Sequence, residues 1–552
     1  MRKELDADDI LKKHEAAAGR MTTWLSTLQV VYDLCLPDRA KFSMTESMPG
    51  QSTAMHVYDW TAPMALQSFA NNIVMNLMPP GTNWATFLPG RKLKEKDNEP
   101  NEDVTKAMQY FEDTLFDFLN ADSSNFYNSV HQALMEMGIS TGVLLINEGP
   151  NKDDPFRFQA VPLHECVFGG IAGGEVLDVY RTYELEGQYI QHTWPKAKIS
   201  EDTMSNINQN PAEKLTLIEG TTFHPENKPR HQYCYFIMVK ESKEIILQDY
   251  RSYSPWIVFR SQVNSNELLG RGVLFTMKSA LLTINRLAED ELRLNKFLSK
   301  PIFLSESGSG FNPFTSVLNP GAIIPVENSK DSIRQLQIEG NLQVQQLKKE
   351  EVRKDILDAL GVNQFQSDGS GGARTATEVN VIENDRKFHN QALASRLQTE
   401  LGHKVVDKCF RILKRFGYWK TPVIDNQHIK VKFVSPVTEQ QNAVNIDKIV
   451  KYAQTITAVV GPELAPTAVA YGIDVKEMAN YISTEMNLPT DVVRNALSQQ
   501  QLVQQGAQQM AGPQQPPQAA PMGDQMAQQG ASDGQGAGAN QLAQVTGGAV
   551  QQ

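Results

Sequence analysis

Gly371-Gly372-Ala373-Arg374-Thr375-Ala376-Thr377-Glu378-Val379 joins a polar, glycine-rich loop to the start of a long amphipathic segment. Thr375 and Glu378 make a capping box: the threonine oxygen accepts from an early helical N–H, and the glutamate reaches back to the cap. From Val379 the stripe continues through Ile382, His389, Leu393, Leu397, Leu401, Val405, Cys409, Ile412 and Phe416, always three, four or seven residues apart. That period is helical. Gly417 is placed to end it. The spacing predicts one helix over 376–416, roughly 60 Å long at ~1.5 Å per residue, where an average helix has about 11–12 residues. Such a rod is an architectural strut and implies a large assembly.

Upstream of the loop the pattern changes character several times. Residues 1–140 carry helical stripes at Trp24, Leu28, Val31 and Leu34, at Leu66, Phe69, Ile73 and Leu77, and at Met108, Phe111, Leu115, Phe118 and Leu119. Met78-Pro79-Pro80-Gly81 stops the second stripe. From 143 to 260 short β-branched and aromatic runs, such as Val143 to Ile146, Tyr233 to Val239 and Trp256 to Phe259, are broken by glycine pairs and prolines. This is a strand-and-turn pattern. After Gly270-Arg271-Gly272, one helix is expected over 273–299, ending before Pro301. A loop-rich excursion follows to Pro325, and a second helix over about 342–360 has Gly361 as its cap. His428 to Val434 alternates as a strand that Pro436 closes. Residues 439–500 return to helical spacing. From Gln499 the composition of Gln, Gly, Ala and Pro cannot bury enough apolar surface to fold, and a disordered tail is expected. The fold class is α+β.

At 552 residues the chain exceeds one compact core. Its 41% hydrophobic and 21% charged residues are those of a soluble protein, and the most apolar stretch, Met64 to Met78, contains Gln67, Asn71, Asn72 and Asn76. No membrane span is expected. The N-terminus turns acidic at once and has no signal-peptide core. Cys35, Cys166, Cys234 and Cys409 are scattered, without metal-ligand spacing, and imply a reducing compartment and no metal. A net charge of −11 argues against strong non-specific nucleic-acid binding. It leaves room for brief contact with DNA that slides past.

Enzyme signatures are missing. Gly270-Arg271-Gly272 lacks the spacing and the Gly-Lys-Ser/Thr of a phosphate loop and reads as a tight turn. His14-Glu15 and His164-Glu165 have no second histidine at zinc-protease spacing. Acidic neighbours such as Asp153-Asp154 and Glu289-Asp290-Glu291 read as solvated or intersubunit charge. The basic group Lys348, Lys349, Arg353 and Lys354 is either a solvated helix face or a nucleic-acid contact. No catalytic residue and no cofactor are expected.

The order of segments resembles the portal, or head-to-tail connector, of short-tailed T7-like bacteriophages. The resemblance is carried by Leu77-Met78-Pro79-Pro80 with Trp84, by Asn266-Glu267-Leu268-Leu269-Gly270-Arg271-Gly272, by Ala376-Thr377-Glu378-Val379, and by Val431-Lys432-Phe433-Val434-Ser435-Pro436. Leu269 departs from it, standing where an aromatic is expected. The resemblance implies a portal fold: a helical and β-rich wing over 1–265, a stem of helices 266–299 and 336–361, and a small α/β clip at 300–335. It further implies a tunnel loop at 362–375, a long wing helix and return strand over 376–438, a helical crown at 439–500 and a tail from 501 to 552. The implied partners are further copies in a closed, typically twelvefold ring, double-stranded DNA in the channel, terminase, tail adaptor, and major capsid and scaffold proteins, all at a virion vertex. Lys348, Lys349, Arg353 and Lys354 would face the channel. Gln364, Phe365, Gln366, Ser367, Asp368, Gly369, Ser370, Gly371 and Gly372 would form the tunnel loop. The rival readings are a tail adaptor or scaffold and, in the enzyme class, a DNA-packaging ATPase or nuclease.

Overall fold

The computed structural model describes residues 6–39, 42, 56–90, 102–172, 174–264, 267–299, 303–305, 333–335, 342–362, 392–419 and 429–434, with 446, 448–449, 451–452 and 454–455. The chain divides into two units, 1–455 and 456–552. The second lies outside the described residues, as do the capping box at Thr375 and all but Val362 of the predicted tunnel loop at 362–375.

Helix α1 (Ala7–Cys35) starts at Asp6, whose side chain accepts from Asp8 N–H, and buries Leu28, Val31, Tyr32 and Cys35. Helix α2 (Thr61–Leu77) and strand β1 (Ala85–Pro89) follow, then α3 (Glu102–Asn120) and α4 (Phe126–Ile139). Almost every residue of the second half of α4 is buried, and only Ser140 separates it from β2 (Thr141–Glu148). The first six residues of β2 are all buried, so both faces of this strand are covered and no alternation is left to read. It is the central strand of an antiparallel sheet, with β3 (Phe156–Ala160) on one side and β11 (Trp256–Arg260) on the other.

The second sheet is antiparallel too. Its strands β4 (Cys166–Phe168), β7 (Val179–Glu186), β8 (Lys214–Phe223), β9 (Tyr233–Val239) and β10 (Glu244–Arg251) lie in the order β10-β9-β8-β7-β4. A small hairpin of β5 (Ile171–Ala172) and β6 (Glu175–Val176) and short helices α5 (Ile190–Thr193) and α6 (Glu201–Gln209) fill its connections. Trp256 ties the sheets together, since its indole N–H donates to Thr221 Oγ1 at 3.1 Å.

Gly270-Arg271-Gly272 is not a tight turn. Neither glycine has a positive φ; both are there because backbone approaches backbone. A Cβ on Gly272 would lie 2.3 Å from the carbonyl carbon of Ile139, and Gly272 N–H donates to Ile139 O at 3.0 Å. Gly270 N–H donates to Thr141 Oγ1, and its carbonyl accepts from Ser140 Oγ. The expected helix over 273–299 is likewise two pieces, α7 (Val273–Thr276) and α8 (Lys278–Ser299), parted at Met277. Phe275 of the first piece packs on Trp24 of α1, which holds this turn against the body while α8 leaves it.

After β12 (Phe303–Ser305) and β13 (Ile333–Gln335), an antiparallel pair, comes α9 (Leu342–Ala359). Gly361 follows with φ +65°, the left-handed conformation of a helix stop. The described part of the long rod is helical over 392–397, widens to a π turn at Gln398–Gly402, and continues as α10 (His403–Phe416). Leu397, Leu401, Val405, Cys409 and Ile412 of the expected stripe are all buried. The wide turn coincides with two constraints. Gly402 is pressed onto the Phe433 ring, and Glu400 accepts from Arg260 N–H at 2.9 Å and from its guanidinium at 3.1 Å. Gly417, at φ +88°, donates to Leu413 and Lys414 carbonyls and ends the helix. Strand β14 (Ile429–Phe433) then returns to pair with β1, antiparallel, Ala85 opposite Phe433. Trp84 is buried where they meet, against Phe116 and Phe433.

Two ionisable groups sit oddly in this core. Lys408 of α10 is buried and donates to Trp256 O; burial pulls its ammonium down to about 7, and Lys404 adds to the effect. Glu112 of α3, beside Asn83, is raised by burial to about 7. The four cysteines are free and buried.

Candidate functional site

Helices α8 and α9 form an antiparallel hairpin whose base is tied to the body by one polar node. Asn285 of α8 reads the backbone of the segment before α2: its amide donates to His56 O at 2.9 Å, and its carbonyl oxygen accepts from Tyr58 N–H at 2.8 Å. Asp59, buried, accepts from Arg353 at 3.1 Å, lies 4.0 Å from Lys349, and caps Thr61 N–H at 2.9 Å. Arg353 also donates to Thr61 Oγ1. Farther out, Lys349 meets Glu291 at 2.9 Å and fixes which turn of α9 lies beside which turn of α8.

Lys349, Arg353, Ile356 and Leu360 recur every three or four residues, so the inward stripe of α9 is polar at its outer end and apolar at its base. This divides the four basic residues singled out in the sequence. Lys349 and Arg353 are engaged within the chain, with carboxylates on the α2 and α8 sides. Lys348 and Lys354 are exposed. Exposed Glu351, Asp355 and Asp358 interleave with them, so the outer surface of α9 is mixed in charge rather than basic. The nine residues from Gln364 to Gly372 lie outside the described residues.

Sequence reading missed two cations. Thr283, Arg286, Asp290 and Arg293 are all exposed and follow one another at three- and four-residue spacing, a single outward stripe of α8. Arg293 pairs with Glu289 one turn earlier. The spacing was available, but the neighbouring carboxylates made the run look like ordinary solvated charge. Asp59 had no local signal at all, since its partners are far away in the chain.

Exposed apolar side chains cluster around the same hairpin. Leu292 of α8 and Val344 and Leu347 of α9 are each more than half exposed, and Trp60 and Met64 stand out at the start of α2. Among the described residues no group of His, Cys, Asp and Glu could hold a metal ion, and no helix is long and apolar enough to cross a membrane. The geometry is that of an anchored arm with several open faces.

Comparison with known proteins gives the arm a context. The family described as bacteriophage head to tail connecting protein matches residues 7–493. No curated protein matches. Among solved structures, a chain from the virion of the native gene transfer agent (GTA) particle aligns over 78% of this chain and 90% of its own, at 11% identity and a TM-score of 0.35. A chain from the neck of the empty GTA particle, computed with C6 symmetry, has the same coverage and identity and a TM-score of 0.38.

Proposed function

Because the chain belongs to the bacteriophage head to tail connecting proteins, we propose that it is the portal subunit of a short-tailed, T7-like phage, a structural component of the virion. Twelve copies close into a ring at one capsid vertex. The ring passes double-stranded DNA during packaging and ejection, and docks terminase first and the tail adaptor later; the capsid and scaffold proteins are its other neighbours. The chain performs no bond chemistry in this role.

The observation that carries this reading is the anchored two-helix arm. Its base is locked by Asp59 and Asn285, while its outer faces are exposed and mixed in charge. A wall past which a duplex must slide needs weak, reversible attraction, because each firmly neutralised phosphate adds a counterion-release term to binding. Lys348, Lys354, Arg286 and Arg293, diluted by Asp290, Glu351 and Asp355, fit that requirement, and a ring multiplies each by the copy number. Lys349 and Arg353 are anchor residues in this scheme. In this scheme the segment 362–375 is the tunnel loop that meets the DNA.

The test is DNA packaging and retention with Lys348→Gln, Lys354→Gln, Arg286→Gln and Arg293→Gln combined. A drop in packaged DNA at unchanged ring assembly is expected. Normal packaging by this variant would remove the arm from the channel wall, and particle images lacking a closed ring with a central hole would remove the portal reading itself.

A further inference from the structure

We propose that the seam between α10 and the free edge of β11 is a proton-operated lock, shut while Lys408 is neutral and loosened when Lys408 takes up a proton. The lock is built within one subunit and does not depend on ring closure.

β11 is an outer strand of its sheet, with β2 on one side only. Ile146 N–H donates to Pro255 O at 3.0 Å, so residues of that parity face β2, and the N–H and C=O groups of Trp256, Val258 and Arg260 point the other way. An edge of this kind invites a further strand unless something covers it. Here the cover is a helix, and its side chains take the end rungs. Glu400 accepts from Arg260 N–H at 2.9 Å, and Lys408 donates to Trp256 O. Arg396 adds a bond to Ser261 O at 2.7 Å.

Charge sets the Lys408 end of the seam apart from the rest. Arg260 meets Glu400 at 3.1 Å, Lys404 meets Glu175 of the β5–β6 hairpin at 3.5 Å, and Arg411 meets Asp407 at 2.9 Å. Glu175 and Asp407, the carboxylates that act on Lys408, therefore each have a cation of their own. Lys408 is 7% exposed, bonded to a carbonyl, and has no ion pair among the described residues. Burial keeps the neighbouring Cys409 a thiol, and Glu112 of α3 is engaged with Asn83 and Phe87 N–H. A neutral amine suits that place. An ammonium needs water around it, which it reaches only by leaving Trp256 O.

The direction with pH follows. Burial, with Lys404 adding to it, brings the ammonium down from 10.5 to about 7 in the closed seam. Between those values opening takes up a proton, so each pH unit upward suppresses opening about tenfold; below 7 the dependence ends. Glu112, raised from 4.5 to about 7, titrates outside that window.

Amide exchange in the full chain, read by mass spectrometry from pH 7.5 to 9.5 and corrected for base-catalysed exchange, tests this. Amides of 403–412 and of Trp256 to Arg260 are expected to exchange faster than those of β8 and β9 at pH 7.5. They should become about 100-fold better protected by pH 9.5. Lys408→Met should keep the seam protected at every pH. Seam amides that exchange only as slowly as β8 and β9, with the same slope, would mean that the seam opens only when the whole chain unfolds, and would overturn the lock. So would a slope that survives in Lys408→Met, or one missing from the wild type.

Discussion

The α4–β2–Gly272 junction and the α8–α9 hairpin both hold together segments that lie far apart in the chain, and they do so by opposite means. At the junction, backbone lies directly on backbone: Gly272 N–H donates to Ile139 O, the short hydroxyls of Ser140 and Thr141 close on Gly270, and there is no room for a single Cβ. In the hairpin, side chains do the joining, through Asp59, Asn285, Lys349 and Arg353, and the faces beyond them are open. Close packing gives a rigid unit indifferent to solvent. A polar clasp gives an arm whose attachment depends on charge and whose flanks are free for other molecules.

The contrast is broken most severely at the junction. Gly272→Ala should cost more than about 4 kcal/mol, because the clash is with the Gly138 and Ile139 carbonyls that end α4, buried where the helix passes into β2; expression as soluble protein and urea unfolding would show it. An alanine tolerated there would mean the two segments are less tightly joined than the geometry requires. Next in size is Lys408→Met, expected to stabilise by about 1–4 kcal/mol because a buried cation with one backbone acceptor is replaced by an apolar chain of similar length. The sign with pH follows from burial lowering the folded ammonium to about 7 against 10.5 unfolded. Between those values only the unfolded chain holds the extra proton, so this group makes stability climb as pH rises from 7 to 10.5 and contributes a constant penalty below 7. Melting temperatures across that range should show a slope in the wild type that is shallower in Lys408→Met. The smallest effect belongs to the clasp. Asp59→Asn should cost about 1 kcal/mol, because Arg353 is one-third exposed and water shares the loss. Its signature is local: amide exchange should quicken in α9 and not in β2.

Much of the body was legible because its chemistry is periodic. The stripes through α1, α2 and α3, the run at β9 and the buried face from Leu397 to Ile412 lie where spacing put them. Gly361 and Gly417 take the left-handed conformation their positions implied. What could not be read depends on partners remote in sequence. Gly270 and Gly272 look like a turn until Ile139 and Thr141 stand beside them, and the break at Met277 has no residue of its own to announce it. The basic group on α9 was visible as a cluster, but its division into anchored and open members is decided by Asp59 and Glu291, which no local pattern connects to it. The π turn is of the same kind, since Arg260 and Phe433 reach it from other elements.

The pairing of β1 with β14 has a consequence for biosynthesis. Trp84 and the inner face of Ala85 to Pro89 emerge from the ribosome early, yet the strand that covers them is Ile429–Phe433. Until that strand is released, the nascent chain carries an unpaired edge and an uncovered aromatic cluster, a non-local contact of the kind that slows folding and invites aggregation. Subunits are therefore expected to mature after translation rather than during it, and a polypeptide truncated before residue 429 should be held by chaperones or precipitate.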